Sequence, residues 1–141
     1  MVPAMNDLVS IADARAQLRL DDFDSSGGAD DAWLDIWIPA VSQAVMTWLK
    51  DSWRAFVPEY DSAGAVIVDS AGDPIPALDS NGDPTPKPVV RAAVLIELAS
   101  QFRFREGEGT DNVVPDAAGH GYILSKGATA LLAGLRKSTV A

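Results

Sequence analysis

The sequence has no cysteine and a single histidine among its 141 residues. The first absence excludes disulfide frameworks, thiolate zinc sites, iron–sulfur clusters and cysteine nucleophiles, and nothing calls for an oxidising compartment. The second leaves His120, flanked by Gly119 and Gly121, as an isolated imidazole whose ordinary reading is an exposed loop residue and not a zinc ligand. Long apolar runs are missing too: the longest, at 92–96, falls far below the roughly 18 residues that span a bilayer, so no membrane partner is expected. The opening Met1-Val2-Pro3-Ala4-Met5-Asn6-Asp7 holds neither a basic patch nor an apolar stretch, and no secretory signal is expected there. Bases are scarce. Eleven Lys and Arg against 20 Asp and Glu give a net charge of -9, the wrong sign for gripping phosphate backbones.

What is present is enough for a core. Hydrophobic residues make up 48% and charged residues 22%, which suits one packed domain spanning 1–141. Ser10 before Ile11-Ala12-Asp13 reads as a capped helix start, with Asp13 in the first turn, and the helix runs to about Leu18. The acidic, glycine-containing stretch 21–28 then reads as a loop. Trp33, Ile36, Trp37, Ala40, Val41, Ala44, Val45, Trp48 and Leu49 recur at steps of three and four, predicting a long helix over about 30–53. Pro39 lies inside it and predicts a kink or a boundary between two shorter helices.

Residues 58–88 change character. Prolines 58, 74, 76, 84, 86 and 88 accompany two related phrases, Asp69-Ser70-Ala71-Gly72-Asp73-Pro74 and Asp79-Ser80-Asn81-Gly82-Asp83-Pro84. Each offers Asx capping, a glycine for positive φ and a helix-forbidding proline, so each predicts a turn. The run 65–68 suits a short strand that can pair with 75–78 as a β-hairpin within an extended arm. After Pro88, Val90, Val94, Leu95, Leu98 and Phe102, widened by Ala92, Ala93, Ile96 and Ala99, predict a second long and nearly buried helix closed by Arg103 and Arg105. The stretch 110–126 reads as loop. Ala128, Leu131, Leu132 and Leu135 predict a final short helix ending near Arg136-Lys137, with a flexible tail at 138–141. The fold class expected is all-α: a small bundle of about four helices, two long and two short, with a long Pro/Gly/Asp-rich arm.

Constellations for chemistry are weak. Ser125 and His120 with any carboxylate can be drawn as a triad, but no Gly-x-Ser-x-Gly elbow presents a nucleophile. Asp22-x-Asp24-x-Ser26-Gly27 opens like an EF-hand loop, yet position twelve is Trp33 where a bidentate glutamate belongs; in Asp79-x-Asn81-x-Asp83 the needed glycine is Pro84. The glycines Gly107, Gly109, Gly119 and Gly121 do not form a phosphate loop. No catalytic, cofactor-binding or metal-ligating residue is assigned, and no enzyme is expected. Trp33, Trp37 and Trp48 read as core, Trp53 and Phe56 as a candidate subunit contact, and Arg91 and Arg103 as a solvated or ion-paired face.

The order of elements is similar to that of a known family, the head-to-tail connector (adaptor, or head-completion) proteins of long-tailed bacteriophages. The resemblance is carried by the opening Leu8-Val9-Ser10-Ile11-Ala12-Asp13-Ala14-Arg15-Ala16-Gln17-Leu18-Arg19-Leu20 and the acidic loop into Asp31-Ala32-Trp33-Leu34-Asp35. It continues through Ala40-Val41-Ser42-Gln43-Ala44-Val45, the proline before Val89-Val90-Arg91-Ala92-Ala93-Val94-Leu95, and the closing Leu124-Ser125-Lys126-Gly127-Ala128-Thr129-Ala130-Leu131-Leu132 with Arg136. The arm at 60–87 and the residues at 106–121 depart from it. The resemblance implies a virion protein of the neck, present in the host cytoplasm during assembly, that forms a ring, commonly a dodecamer, between the portal and a stopper or tail-completion protein. DNA is then only passing cargo, which an acidic wall tolerates. On this view Trp53, Phe56, Val66, Ile67, Ile75, Leu131, Leu132, Leu135 and Arg136 are the expected subunit or partner contacts, the segment 128–141 docks on the portal, and the arm meets a neighbour or the next neck protein. The competing expectation is an acidic DNA mimic or anti-defence inhibitor whose carboxylates imitate phosphates.

Overall fold

Among the described residues four α-helices and one 3-10 turn follow one another: α1 (Ile11–Leu18), α2 (Ala29–Leu49), the 3-10 turn (Ser52–Ala55), α3 (Pro88–Arg103) and α4 (Lys126–Leu132). This computed structural model describes residues 7–19, 29–103 and 124–137. The helical character expected from the apolar periodicities is present. The loop expected at 21–28, His120 with its glycines, Arg105, and the tail at 138–141 lie outside the described residues.

Helix α1 begins as its sequence dictates. The Ser10 hydroxyl oxygen accepts from Asp13 N (3.1 Å) and the Asp13 carboxylate accepts from Ser10 N (3.5 Å), a reciprocal cap. It ends where Arg19 turns left-handed at φ 55°. Two ion pairs fasten it sideways: Arg15 makes a two-pronged contact with Asp31 of α2, and Arg91 of α3 donates to Asp13 at 2.9 Å. The solvated or ion-paired reading of Arg91 holds.

Helix α2 runs through Pro39 as one element, so of the kink or boundary expected there the boundary is absent. Its end does differ from expectation. Lys50 adopts φ 78°, donating to the Met46 and Thr47 carbonyls, and the chain restarts as the 3-10 turn that holds Trp53. The buried face is also rotated from the stripe read in the sequence. Leu34, Ile38, Val41, Ser42, Val45 and Leu49 are enclosed, whereas Ile36 is 69% exposed. Because α2 is apolar around most of its circumference, periodicity alone did not select the inner side. Ser42 helps select it: its Oγ lies in the core and accepts from Leu8 N at 3.0 Å, tying the N-terminal segment to mid-α2.

Helix α3 packs against α1, α2 and α4 and carries Val90, Ala93, Val94 and Leu98 into the core. Glu97 is buried with them, and its Oε2 accepts from Ser125 N at 2.8 Å. Ser125 in turn caps α4 through Ala128 N (3.3 Å), so α4 starts at Lys126 and ends at Leu132, earlier at both ends than expected. Ala128 and Leu132 are fully enclosed. Part of the segment 128–141 expected to dock on the portal thus belongs to the core, which α4 completes.

Residues 56–87 leave the bundle after the 3-10 turn and return to it at α3. They contain isolated antiparallel bridges: Phe56 with Pro86, Pro58 with Pro76, Tyr60 with Val66, Val68 with Pro74, and Leu78 with Pro84. The flanking odd-numbered residues make the hydrogen bonds, and these close into rings. Val57 N donates to Thr85 O, Thr85 N to Ala77 O, and Ala77 N back to Val57 O, at 2.8–2.9 Å. Glu59, Ile75 and Ile67 form a second such ring, each bond at 2.9 Å. Every proline from 58 to 86 stands at an even position, where the ring bonding needs no N–H.

Three turns of one design join the pieces. Asp61, Asp69 and Asp79 each accept through Oδ1 from the N–H two and four residues on, at 2.8–3.0 Å. Gly64, Gly72 and Gly82 take φ of 83–84° in the fourth position. The sequence reading found the second and third turns. It missed the first, Asp61-Ser62-Ala63-Gly64-Ala65, because Ala65 replaces the closing aspartate and no proline follows.

Candidate interaction surfaces

Two grooves flank α2. The first, about 930 Å³, lies between the N-terminal segment, the Asp35–Pro39 flank of α2 and the third turn of the 56–87 unit. Leu78, Phe56 and Pro84 give it apolar walls, while Asp7, Asp35, Asp79 and Asp83 make it acidic. Partial burial, and then the charge of Asp35, push the Asp7 carboxyl above its ordinary range. Asp13 goes the other way: burial opposes its ionisation, but hydrogen bonds from Arg91 and Ser10 outweigh it and hold its pKa below the usual value.

The second groove, about 630 Å³, lies between α2 and the α4 region, and its wall includes Trp37, Ala44, Trp48, Leu124 and Arg136. Among the described residues no carboxylate lines it. Its geometry follows from two arginines that bolt the end of α4 to the end of α2. Arg136 lies over the Trp48 ring, 4.6 Å from its centroid, and donates from Nε to Trp48 O at 3.0 Å. Arg54 lies 4.5 Å from the Trp53 centroid, pairs with Asp51, and donates to Leu135 O at 3.1 Å. Farther along α2, Trp33 stacks on Trp37 (5.4 Å) and meets Phe102 edge-on (5.3 Å).

The residues singled out from the sequence fall into distinct settings. Trp53 and Phe56 are half-buried, Phe56 packing against the core and lining the acidic groove. Val66 is exposed, whereas Ile67 and Ile75 are half-buried and joined in one hydrogen-bond ring. Leu131 is exposed, Leu135 half-buried, Arg136 fixed over Trp48, and Leu132 enclosed in the core, where it serves α4 packing. The structure adds Tyr60, Val68 and Leu78 as exposed large apolar side chains that the sequence reading did not single out, and exposes Ile36, which that reading placed on the α2 stripe. The even parity of Tyr60, Val66, Val68 and Leu78, opposite to that of the ring-bonded residues, was the available signal.

Ser125 is committed to capping α4. Among the described residues no group of acidic or histidine side chains is arranged to hold a metal ion, and no helix is long and apolar enough to cross a membrane. Comparison of the chain with family models, with curated proteins and with solved structures finds no match.

Proposed function

We propose that this chain is a structural connector of a phage neck: a subunit that joins copies of itself into a ring between the portal and a stopper or tail-completion protein, with DNA passing through the lumen. The observation that carries the reading is the pair of unlike grooves on opposite flanks of α2, one acidic and walled by the 56–87 unit, the other walled by tryptophans with no carboxylate among its described lining residues. Ring closure needs two different, complementary sides on each subunit, because a heterologous contact repeated around an axis generates a collar. The order of elements in the sequence supports the same reading, and the net charge of -9 suits a wall that lets a duplex slide past.

The DNA-mimic reading has less support. A mimic needs its carboxylates free, whereas Asp61, Asp69 and Asp79 clamp turns, Asp31 and Asp51 pair with arginines, and Glu97 is buried.

Electron microscopy of the purified chain, over a range of concentrations and with the portal of a long-tailed phage, tests the proposal. Rings, or collars seated on portals, are expected. A monomer at every concentration that ignores portals rejects it. Because α4 is part of the core, truncation after Lys126 is unsuitable; truncation after Lys137 tests whether the last four residues reach the portal.

A further inference from the structure

Resting on the ring reading, we infer how one copy grips the next: the apolar tip of the 56–87 unit, Tyr60, Val66 and Val68, seats in the Trp37–Trp48 groove of an adjacent copy. Tyr60 is 56%, Val66 40% and Val68 50% exposed, and Tyr60 and Val66 are bridge partners and so stand side by side. An exposed group of this kind, with an aromatic among its members, is the composition of an interface anchor. The groove offers matching chemistry, two indoles and alanines with Gln43 and Thr47 at its edge.

Charge picks the occupant. Residues 56–87 carry Glu59, Asp61, Asp69, Asp73, Asp79 and Asp83 against Lys87 alone, with Asp61 and Asp69 adjoining Tyr60 and Val68 in sequence. Among the described residues the groove is lined by Arg136 and by no acid, and residues 124–137 hold Lys126, Arg136 and Lys137 with no acid. A second copy therefore presents the tip with the charge it lacks. Geometry keeps the contact between copies. The third turn of the unit faces the Asp35 and Pro39 flank of α2 across the acidic groove, about half a turn around α2 from Trp37 and Trp48. None of Tyr60, Val66 and Val68 lines the Trp37–Trp48 groove of its own subunit, which leaves both ends open for a head-to-tail chain of contacts.

The absence of cysteine makes a direct test simple. The paired variant Val66→Cys with Gln43→Cys, both exposed positions, should give a ladder of disulfide-linked multimers on oxidation, and a control pair of Val66→Cys with Ala130→Cys on the outer side of α4 should not. Association is then measured for a tip variant (Tyr60→Ser with Val68→Ser) and a groove variant (Gln43→Glu with Thr47→Glu). Each alone should weaken self-association by roughly tenfold or more with helical content unchanged. Mixed, they should form one-to-one dimers and nothing larger, since only one tip and one groove remain intact. Multimers that form normally from both variants, with no ladder from the first pair, overturn this contact and leave the ring standing. A wild-type chain that stays monomeric to millimolar concentration and ignores portals, with no ladder, overturns both.

Discussion

The helical bundle and the 56–87 unit are held together by different physics. In the bundle, seventeen apolar residues among those described are buried, and the backbone bonds lie inside helices around them. In the 56–87 unit no residue is buried; closed rings of backbone bonds, aspartate-clamped turns and prolines that pre-set φ take the place of a core. Helix packing tolerates almost any apolar side chain of the right volume. A ring of backbone bonds tolerates almost any side chain but depends on parity, on which residues keep an N–H.

That contrast can be broken from either side. The largest effect is expected in the bundle: Leu98→Ala should cost about 2–5 kcal/mol in urea unfolding, through the cavity left among α2, α3 and α4. Next comes parity. Ile75→Pro removes the N–H that closes one ring onto Ile67 O and should cost about 1–3 kcal/mol, whereas Pro76→Ala, one residue on, should cost only a few tenths, read by hydrogen exchange within 56–87. Equal effects at the two positions would refute the parity account. Third, Gly72→Ala should cost about 1–2 kcal/mol although open space surrounds a Cβ there, because the penalty lies in φ of +84° and not in packing.

The smallest effect is electrostatic and sharpens the comparison within the bundle. Asp13 has a folded pKa below its ordinary 3.8, so its contribution is present above that value and lost as pH falls through the folded pKa. Asp7 has a raised pKa, so its contribution has the opposite sign: full below 3.8 and lost as pH rises through the folded value. Asp13→Asn should therefore flatten the acid limb of a stability-against-pH curve below about pH 4, and Asp7→Asn should slightly stabilise the protein at neutral pH.

How much of this was legible in the sequence follows the same division. Ser10 with Asp13 fixed the start of α1 because capping is local chemistry, and the apolar periods located α2 and α3. The end of α2 was not legible, since Lys50 in a left-handed conformation carries no sequence mark comparable to glycine. Ser42 and Glu97 were passed over because a buried polar side chain is justified only by its partner, Leu8 N in one case and Ser125 N in the other, each far away in sequence. The turns of 56–87 were readable as turns, but their closure into three-membered rings depends on residues up to 28 apart, Val57 and Thr85, and no local pattern announces it. The candidate surfaces were read least well. Val66 and Leu131 are on the outside, but Leu132 is not, and Ile36 shows that an apolar residue on a recognised stripe can face away from the core.

One bond outlines a broader freedom. Lys87 N donates to Ala55 O at 2.9 Å, so the chain departs from the bundle and rejoins it at the same point. Everything between those two residues is a detachable excursion: a graft of another length or shape, spliced across that junction, would leave the register of the helices as it was. A scaffold wired this way lets its contact with the outside world be rewritten without renegotiating how it folds.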